Sequence, residues 1–291
     1  MKILLTGANG QLGSCLQDLA IKSDLFEVLA TDYKDLDITN EVAVKAYVEV
    51  HQPDIIVNAA AHTAVDKAQS EVELATAINA KGPEYLAKSA QNAGIPMIHV
   101  STDYVFDGTA TVPYKPSHLA KPLGVYGETK WLGEEAVRNT LAEHIIIRTA
   151  WVFSEYGNNF VKTMLRLGEE REELGVIADQ YGCPTYAGDL AASILKCCEK
   201  IMLGHRAWGS FHHCGDLPTS WHGFTRAILA EGLAQGKLPN MAKLNAIKTD
   251  DYPLPAPRPA YSVMDCSSMK QAWGAGASDW RAALTKVVNL I

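Results

Sequence analysis

Short apolar runs rich in β-branched residues alternate with amphipathic stretches through the first 180 residues. The runs Lys2–Thr6, Phe26–Thr31, Asp54–Asn58, Ile95–Ser101, His144–Arg148 and Gly175–Ala178 predict strands. Helices are predicted between them, at Gln11–Lys22, Glu41–Val50, within Ser70–Ala93, at Val125–Leu141 and at Asn159–Glu169. Near-continuous apolar strands are what a sheet buried on both faces requires, and their alternation with helices of this length indicates βαβ units. Right-handed crossovers then lead to a doubly wound, Rossmann-like parallel sheet of the α/β class. A closed (β/α)₈ barrel is the rival. It fits less well, because the alternation fades after about residue 180.

Beyond that point the pattern changes. Helices are predicted at Asp189–Lys200 and Ser220–Leu233, separated by the aromatic and histidine-rich Trp208–Cys214. The proline-rich Tyr252–Pro259 follows, and prolines fix φ and break regular structure, so an extended segment or loop is expected there. Two short helices, around Ser268–Trp273 and Asp279–Leu290, close the chain. The expected organisation is a core over residues 1–180, which later segments are free to join, and a smaller lobe over residues 181–291.

Composition narrows the class without naming a chemistry. With 291 residues and 47% apolar content, the chain buries a core without disulfides or structural metal. Its 26 basic and 33 acidic residues give a net charge of −7, which argues against nucleic acid as a partner. The six cysteines form no C-x-x-C pair, and Cys197 and Cys198 read as small buried thiols in a helix. His212-His213-Cys214 lacks a second ligand pair at zinc spacing, so no metal is assigned there. No run approaches the ~20 apolar residues of a membrane helix, and the N-terminal run is too short for a signal peptide. A cytoplasmic protein with no membrane partner is expected.

Two motifs carry chemistry. Gly7-Ala8-Asn9-Gly10-Gln11-Leu12-Gly13 places three glycines where the first strand meets the first helix. Glycines there permit a tight turn and let backbone approach a pyrophosphate, which sits on the helix N-terminus. Asp32 ends the second strand, where a carboxylate can accept from a ribose hydroxyl, and Lys34 lies close enough to tolerate a 2′-phosphate. NADH and NADPH both stay open. Tyr126-Gly127-Glu128-Thr129-Lys130 is Y-x-x-x-K on a predicted helix, so phenol and ammonium share a face. A free phenol titrates near pH 10, and a nearby cation lowers that value, making the tyrosine a usable acid toward a carbonyl.

The glycine pattern, Asn58-Ala59-Ala60-Ala61, Ser101-Thr102-Asp103 and Tyr126…Lys130 resemble the extended short-chain dehydrogenase/reductase superfamily. Asn58–Lys67 (NAAAHTAVDK), Ser101–Phe106 (STDYVF), Arg148-Thr149-Ala150-Trp151, Gly157-Asn158-Asn159-Phe160, Asp179-Gln180-Tyr181-Gly182 and Arg258-Pro259 resemble one family within it, dTDP-4-dehydrorhamnose reductase. The resemblance runs in order to about residue 265. It implies reduction of the C4 keto group of a nucleotide-linked 4-keto-6-deoxy sugar, with hydride from NADPH or NADH and a proton from Tyr126. Lys130 would hold the nicotinamide ribose and Thr102 would hydrogen-bond the same carbonyl. Gly7, Asn9, Gly10, Gln11, Leu12, Gly13, Asp32, Asp37, Ile38, Ala60, Ala61, His62 and Thr63 would line the cofactor, with Tyr126 and Lys130. Asp103, Tyr104 and Trp151 would contact the sugar, and Asn159 and Arg258 the nucleotide diphosphate.

Residue types at these positions also separate neighbouring chemistries. Nucleotide-sugar 4,6-dehydratases resemble a Thr-Asp-Glu triplet, whereas this chain has Thr102-Asp103-Tyr104, so elimination lacks its second carboxylate. Some bacterial relatives dimerise through magnesium held by glutamates near the first helix and the C-terminus. Here those positions are Ser14-Cys15 and Asn289-Leu290-Ile291, which offer no carboxylate for a bridging magnesium, and monomer and homodimer stay open. Several residues have a plain structural alternative. Asp32 and Asp37 could serve turns or caps, Tyr104 and Trp151 the core, His62 an ordinary loop, and Arg258 an ion pair. At the level of the whole chain, the alternatives to this reductase are a non-catalytic cofactor-binding regulatory subunit and an enzyme of another nucleotide sugar.

Overall fold

The computed structural model describes residues 1–291. Its centre is a six-stranded sheet in which all neighbours run parallel. Five strands are those expected from the first half of the chain: β1 (Lys2–Thr6), β2 (Glu27–Thr31), β3 (Ile55–Asn58), β4 (Met97–Thr102) and β5 (His144–Thr149). The sixth is Gly209–His212, and the spatial order is Gly209–His212, β5, β4, β3, β1, β2. The order reverses direction between β1 and β3, which opens a crevice beyond the carboxyl ends of those two strands.

Helices cover both faces, as burial of a parallel sheet demands. On one face α1 (Gln11–Ala20) packs against the helix Ala187–Met202, with Leu12, Leu16, Leu190 and Ile194 in one core cluster with Ile3, Leu5 and Val57. Cys197 and Cys198 lie fully buried in that cluster, as small apolar side chains do. On the other face α2 (Glu41–His51), Gly82–Ala93 and Val125–Thr140 cover Leu4, Ile56 and Ile146. Asn40 caps α2 by accepting from the Ala43 amide at 3.1 Å. The stretch expected to hold a single helix within Ser70–Ala93 comprises Val72–Thr76, a π-helical turn Ala77–Lys81, and Gly82–Ala93.

Two expectations need correction. The strand expected at Gly175–Ala178 forms at Glu173–Ile177, but it pairs in parallel with Lys243–Ile247, away from the central sheet. The central sheet instead takes its edge from Gly209–His212, which pairs with β5. That strand was not expected, because four residues opening Gly209-Ser210 carry little apolar signal. The proline-rich segment forms a loop with bends at Tyr252, Pro255 and Ala256, without helix or strand, and runs toward the carboxyl ends of the central strands. There the Ala256 amide donates to Asp66 at 3.1 Å, and the backbone of Tyr181 bonds Ala260 and Ser262, each at 2.8 Å. No helix is long and apolar enough to cross a membrane.

All six thiols are free and buried. Burial holds the thiols of Cys15 and Cys198 up at about 12, so neither offers thiolate at neutral pH. In native protein an aromatic disulfide reagent should therefore leave Cys15 and Cys198 unlabelled, with both reacting only after guanidinium unfolding. Fast reaction of Cys15 or Cys198 without denaturant would show the packing against α1 to be looser than described.

Candidate active site

The crevice is a single cleft of about 760 Å³ that runs from the glycine turn after β1 to the ends of β4 and β5. The turn is built on close contact. Gly7 takes φ +73°, and a Cβ there would lie 2.7 Å from the Ala60 amide nitrogen. A Cβ on Gly13 would lie 2.3 Å from the Gly7 carbonyl oxygen. These two positions let α1 start directly over the strand ends. Gly10 leads into α1 with no side-chain cap, so no side chain satisfies its first amides. That is the arrangement in which helix-terminal amides accept a phosphate. The residues present therefore fit a dinucleotide.

At the floor, Ala60, Ala61 and Thr63 follow β3, while Asp32, Asp37 and Ile38 follow β2. The Asp32 carboxylate accepts from the Tyr33 amide at 2.6 Å, and Tyr33 also lines the cleft, whereas Lys34 does not. Asp37 accepts from the amide and hydroxyl of Thr39, at 2.9 and 2.7 Å, while its other oxygen is uncommitted. At the far end lie Thr102, Asp103 and Tyr104 from the end of β4, Tyr126 and Lys130 from the helix Val125–Thr140, and Trp151 just past β5. The Tyr104 and Tyr126 rings meet edge to face, 5.3 Å apart. Trp151 has φ +49°, a conformation that costs a non-glycine residue roughly 1–3 kcal/mol, and stacks on Trp221 at 3.5 Å.

The electrostatics of this end follow from burial. Burial pushes the Tyr126 phenol up to about 12, with the Thr102 hydroxyl beside it working in the other direction. Burial likewise pulls the Lys130 ammonium down to about 8, opposed by Glu134. The expectation that Lys130 lowers the Tyr126 phenol is not met in this arrangement. The ammonium donates instead to the Val100 carbonyl at 2.7 Å. Burial raises the Asp103 carboxyl to about 6. One Asp103 oxygen accepts from Thr102 at 3.1 Å, and the other is buried with no partner. The Thr149 hydroxyl, which also lines the cleft, is likewise buried and unpartnered. Both residues belong to the lining of the space a ligand would fill.

Three expected residues lie elsewhere. Asn9 is exposed beyond the turn and does not line the cleft. His62 turns outward to Glu71, its Nε2 2.8 Å from the carboxylate, while Asn79 holds its backbone through both amide atoms. Arg258 directs both guanidinium nitrogens at Asp66, at 2.6 and 2.7 Å, and is outside the cleft lining. A bidentate carboxylate satisfies the same fork that would suit a diphosphate. Asn159 lines the cleft on the glycine-turn side, where its amide donates to Gln11 at 3.1 Å and to the Ser154 carbonyl at 2.7 Å. It also caps the helix Phe160–Glu170.

Sequence reasoning passed over Trp221 and Glu134. Nothing local marks Trp221, because its partner is 70 residues away. Glu134 did leave a signal, four residues past Lys130 and so on the same helix face. It is fully buried, and its carboxylate accepts from Ser101 and Arg148.

The profile of the RmlD substrate binding domain family matches residues 1–291. A dTDP-4-dehydrorhamnose reductase of Aggregatibacter actinomycetemcomitans is 46% identical over 287 residues, which is 98% of each chain. The chain belongs to the dTDP-4-dehydrorhamnose reductase family. Among solved structures, a member of this family from Clostridium acetobutylicum is similar at a TM-score of 0.92 and 39% identity, covering 100% of this chain and 99% of that one. The dTDP-4-dehydrorhamnose reductase of Bacillus anthracis, determined in complex with NADP, is similar at 0.89 and 35% identity, covering 100% and 99%. The family thus accounts for the whole chain, residues 181–291 included.

Two outcomes follow from the site's geometry. Gly13→Ala should abolish saturable NADPH binding in a fluorescence titration, because the methyl displaces the turn rather than a flexible side chain. Asp103→Asn should stabilise the fold. A carboxyl raised from 3.8 to about 6 on folding costs stability once it ionises. The cost grows as pH rises through that window, so the variant should gain about 1–3 kcal/mol at pH 8 and much less near pH 4. Thermal melts at the two pH values measure it, and an equal gain at both would show that the carboxyl is not desolvated.

Proposed function

We propose that this chain reduces the C4 keto group of dTDP-4-dehydro-L-rhamnose to give dTDP-L-rhamnose, using NADPH or NADH. The observation that carries this reading is that one cleft joins the glycine turn to Thr102 and Tyr126 in a chain of this family. The dinucleotide would lie with its pyrophosphate over the start of α1, between Gly10 and Leu12, and its adenosine ribose near Asp32. The bound dihydronicotinamide supplies hydride. Everything else in the reaction falls to side chains.

Tyr126 donates the proton to the C4 oxygen. A phenol held at about 12 carries that proton throughout the neutral range, the state a general acid requires. Thr102, beside it, donates a hydrogen bond to the same oxygen and stabilises the charge that develops there. Lys130 turns from the Val100 carbonyl, or shares it, to hold the nicotinamide ribose. Asp103 and Tyr104 contact sugar hydroxyls, and the stacked Trp151–Trp221 pair forms an apolar wall beside the sugar. Residues beyond 180 contribute that wall through Trp221, and so act as the substrate lobe. For Arg258 to reach a diphosphate it must exchange Asp66 for phosphate oxygens. Asn159 serves by fixing Gln11 at the glycine turn.

A purified-protein assay with the keto sugar nucleotide, run with NADPH and with NADH, tests the reading. Turnover should appear with at least one cofactor. Tyr126→Phe should lower kcat by about two orders of magnitude or more while cofactor affinity stays within about twofold. Near-normal turnover by that variant would remove Tyr126 from the chemistry. No turnover by the wild type with either cofactor would overturn the assignment.

A further inference from the structure

The helix Val125–Thr140 sets Tyr126, Lys130 and Glu134 in one row at four-residue intervals, facing the last residues of β4. Each meets one of the last three residues of that strand. Tyr126 lies beside Thr102, Lys130 donates to the Val100 carbonyl at 2.7 Å, and Glu134 accepts from the Ser101 hydroxyl at 2.6 Å. Glu134 is 0% exposed. Its two oxygens also take Arg148 of β5, at 2.8 and 2.7 Å, and Arg138 from the next helical turn. One buried carboxylate therefore ties a helix to two adjacent strands.

The surroundings of Lys130 leave Glu134 an electrostatic task as well. Lys130 is 2% exposed, and its one hydrogen bond goes to an uncharged carbonyl. On β4, His99 is held neutral by complete burial, with its Nδ1 3.1 Å from the Asn58 amide. On the same helix, Tyr126 keeps its proton. Arg148 of β5 and Arg138 both pair with Glu134, and Arg138 also pairs with Glu135, so two guanidinium groups balance two carboxylates, a balance that loss of the Glu134 charge would break. Glu134 is the group that acts to hold the proton on Lys130.

We propose that Glu134 is a positioning residue of the reductase site, clamping β4 so that Thr102 meets Tyr126 and placing a carboxylate one helical turn from the Lys130 ammonium. The proposal rests on the roles of Tyr126, Thr102 and Lys130 given above. The two functions separate by substitution. Glu134→Gln keeps the size and an acceptor for Ser101 but loses the charge. Ser101→Ala keeps the charge but loses the clamp. Glu134→Asp keeps the charge on a shorter stem.

The charge is read in the cofactor-free protein by following the Lys130 side chain through pH with selectively labelled lysine and NMR. The wild-type midpoint should lie at about 8. Glu134→Gln should move it down by about one unit, a tenfold loss of proton affinity, because the group that raises it is gone. Glu134→Asp should restore most of that shift. The clamp is read in turnover: Ser101→Ala should lower kcat about tenfold, leave the affinity for NADPH unchanged and leave the lysine midpoint in place. An unmoved midpoint in folded Glu134→Gln overturns the proposal, as does wild-type kcat in Ser101→Ala. Should Glu134→Gln fail to fold, Glu134→Asp and Ser101→Ala still decide, since a purely structural glutamate predicts no loss of kcat in a stable Ser101→Ala. Failure of the reductase reading would show separately, as wild-type protein that titrates as described yet turns nothing over.

Discussion

The approach of α1 to the ends of β1 and β3 is the constraint on which the cofactor end of this molecule depends. A helix can begin directly over a parallel sheet only if nothing projects from the turn that leads into it. At Gly13 a single methyl would press to 2.3 Å from a carbonyl, and at Gly7 to 2.7 Å from an amide of the loop after β3. Both obstacles are backbone, so no rotamer change relieves them. The consequence reaches beyond the turn. With α1 so placed, Leu12 and Leu16 reach the helix Ala187–Met202, and a segment from beyond residue 180 completes the layer. One steric condition thus fixes the phosphate-binding amides and recruits the second half of the chain to the core.

A protein of net charge −7 that binds two anionic ligands must generate attraction locally. The cleft has few cations to do so. Lys130 is buried, Lys34 stands outside the lining, and Arg258 is held by Asp66. On the proposed function, the leading amides of α1 would carry more of the task than side chains do, acting at fixed positions with no side-chain entropy to lose. The Arg258–Asp66 pair is better read as a tether. It is bidentate and half-buried, and with the Ala256 amide it ties the proline-rich segment to the short helix that follows β3. That places the segment beside Tyr104 without spending a cation in the cleft.

Much of this was legible in the residues because the signals were local. β1, α1 and the turn between them lie at the expected positions, since apolar periodicity and glycine spacing act over fewer than ten residues. Tyr126 and Lys130 share a helix face for the same reason. What escaped was set by contacts between distant segments. Gly209–His212 becomes a sheet edge only because β5 offers it unpaired backbone, and Glu173–Ile177 leaves that sheet because Lys243–Ile247 meets it elsewhere. His62 sits in a motif that suggests the cofactor, yet Glu71 and Asn79 turn it away. The side chain's direction was decided by partners nine and seventeen residues on, which no motif records.

The far end of the cleft holds several arrangements that cost stability. Asp103 has a buried oxygen without a partner, Thr149 a buried hydroxyl without one, and Trp151 a backbone that a side chain rarely adopts. Lys130 keeps its charge against burial. Each of these costs stability, and all four residues line one end of one cleft. The compensation is visible nearby. Glu134, Arg148 and Ser101 form a fully buried, closely bonded group directly behind the strand ends, and the stacked Trp151–Trp221 pair locks the strained residue from the other side. A polar group left unsatisfied is tolerable only where its neighbours cannot relax around it. The rigid charge cluster behind the cleft therefore makes it possible to hold an unsatisfied carboxyl oxygen, a bare hydroxyl and a desolvated ammonium in the lining of one cleft.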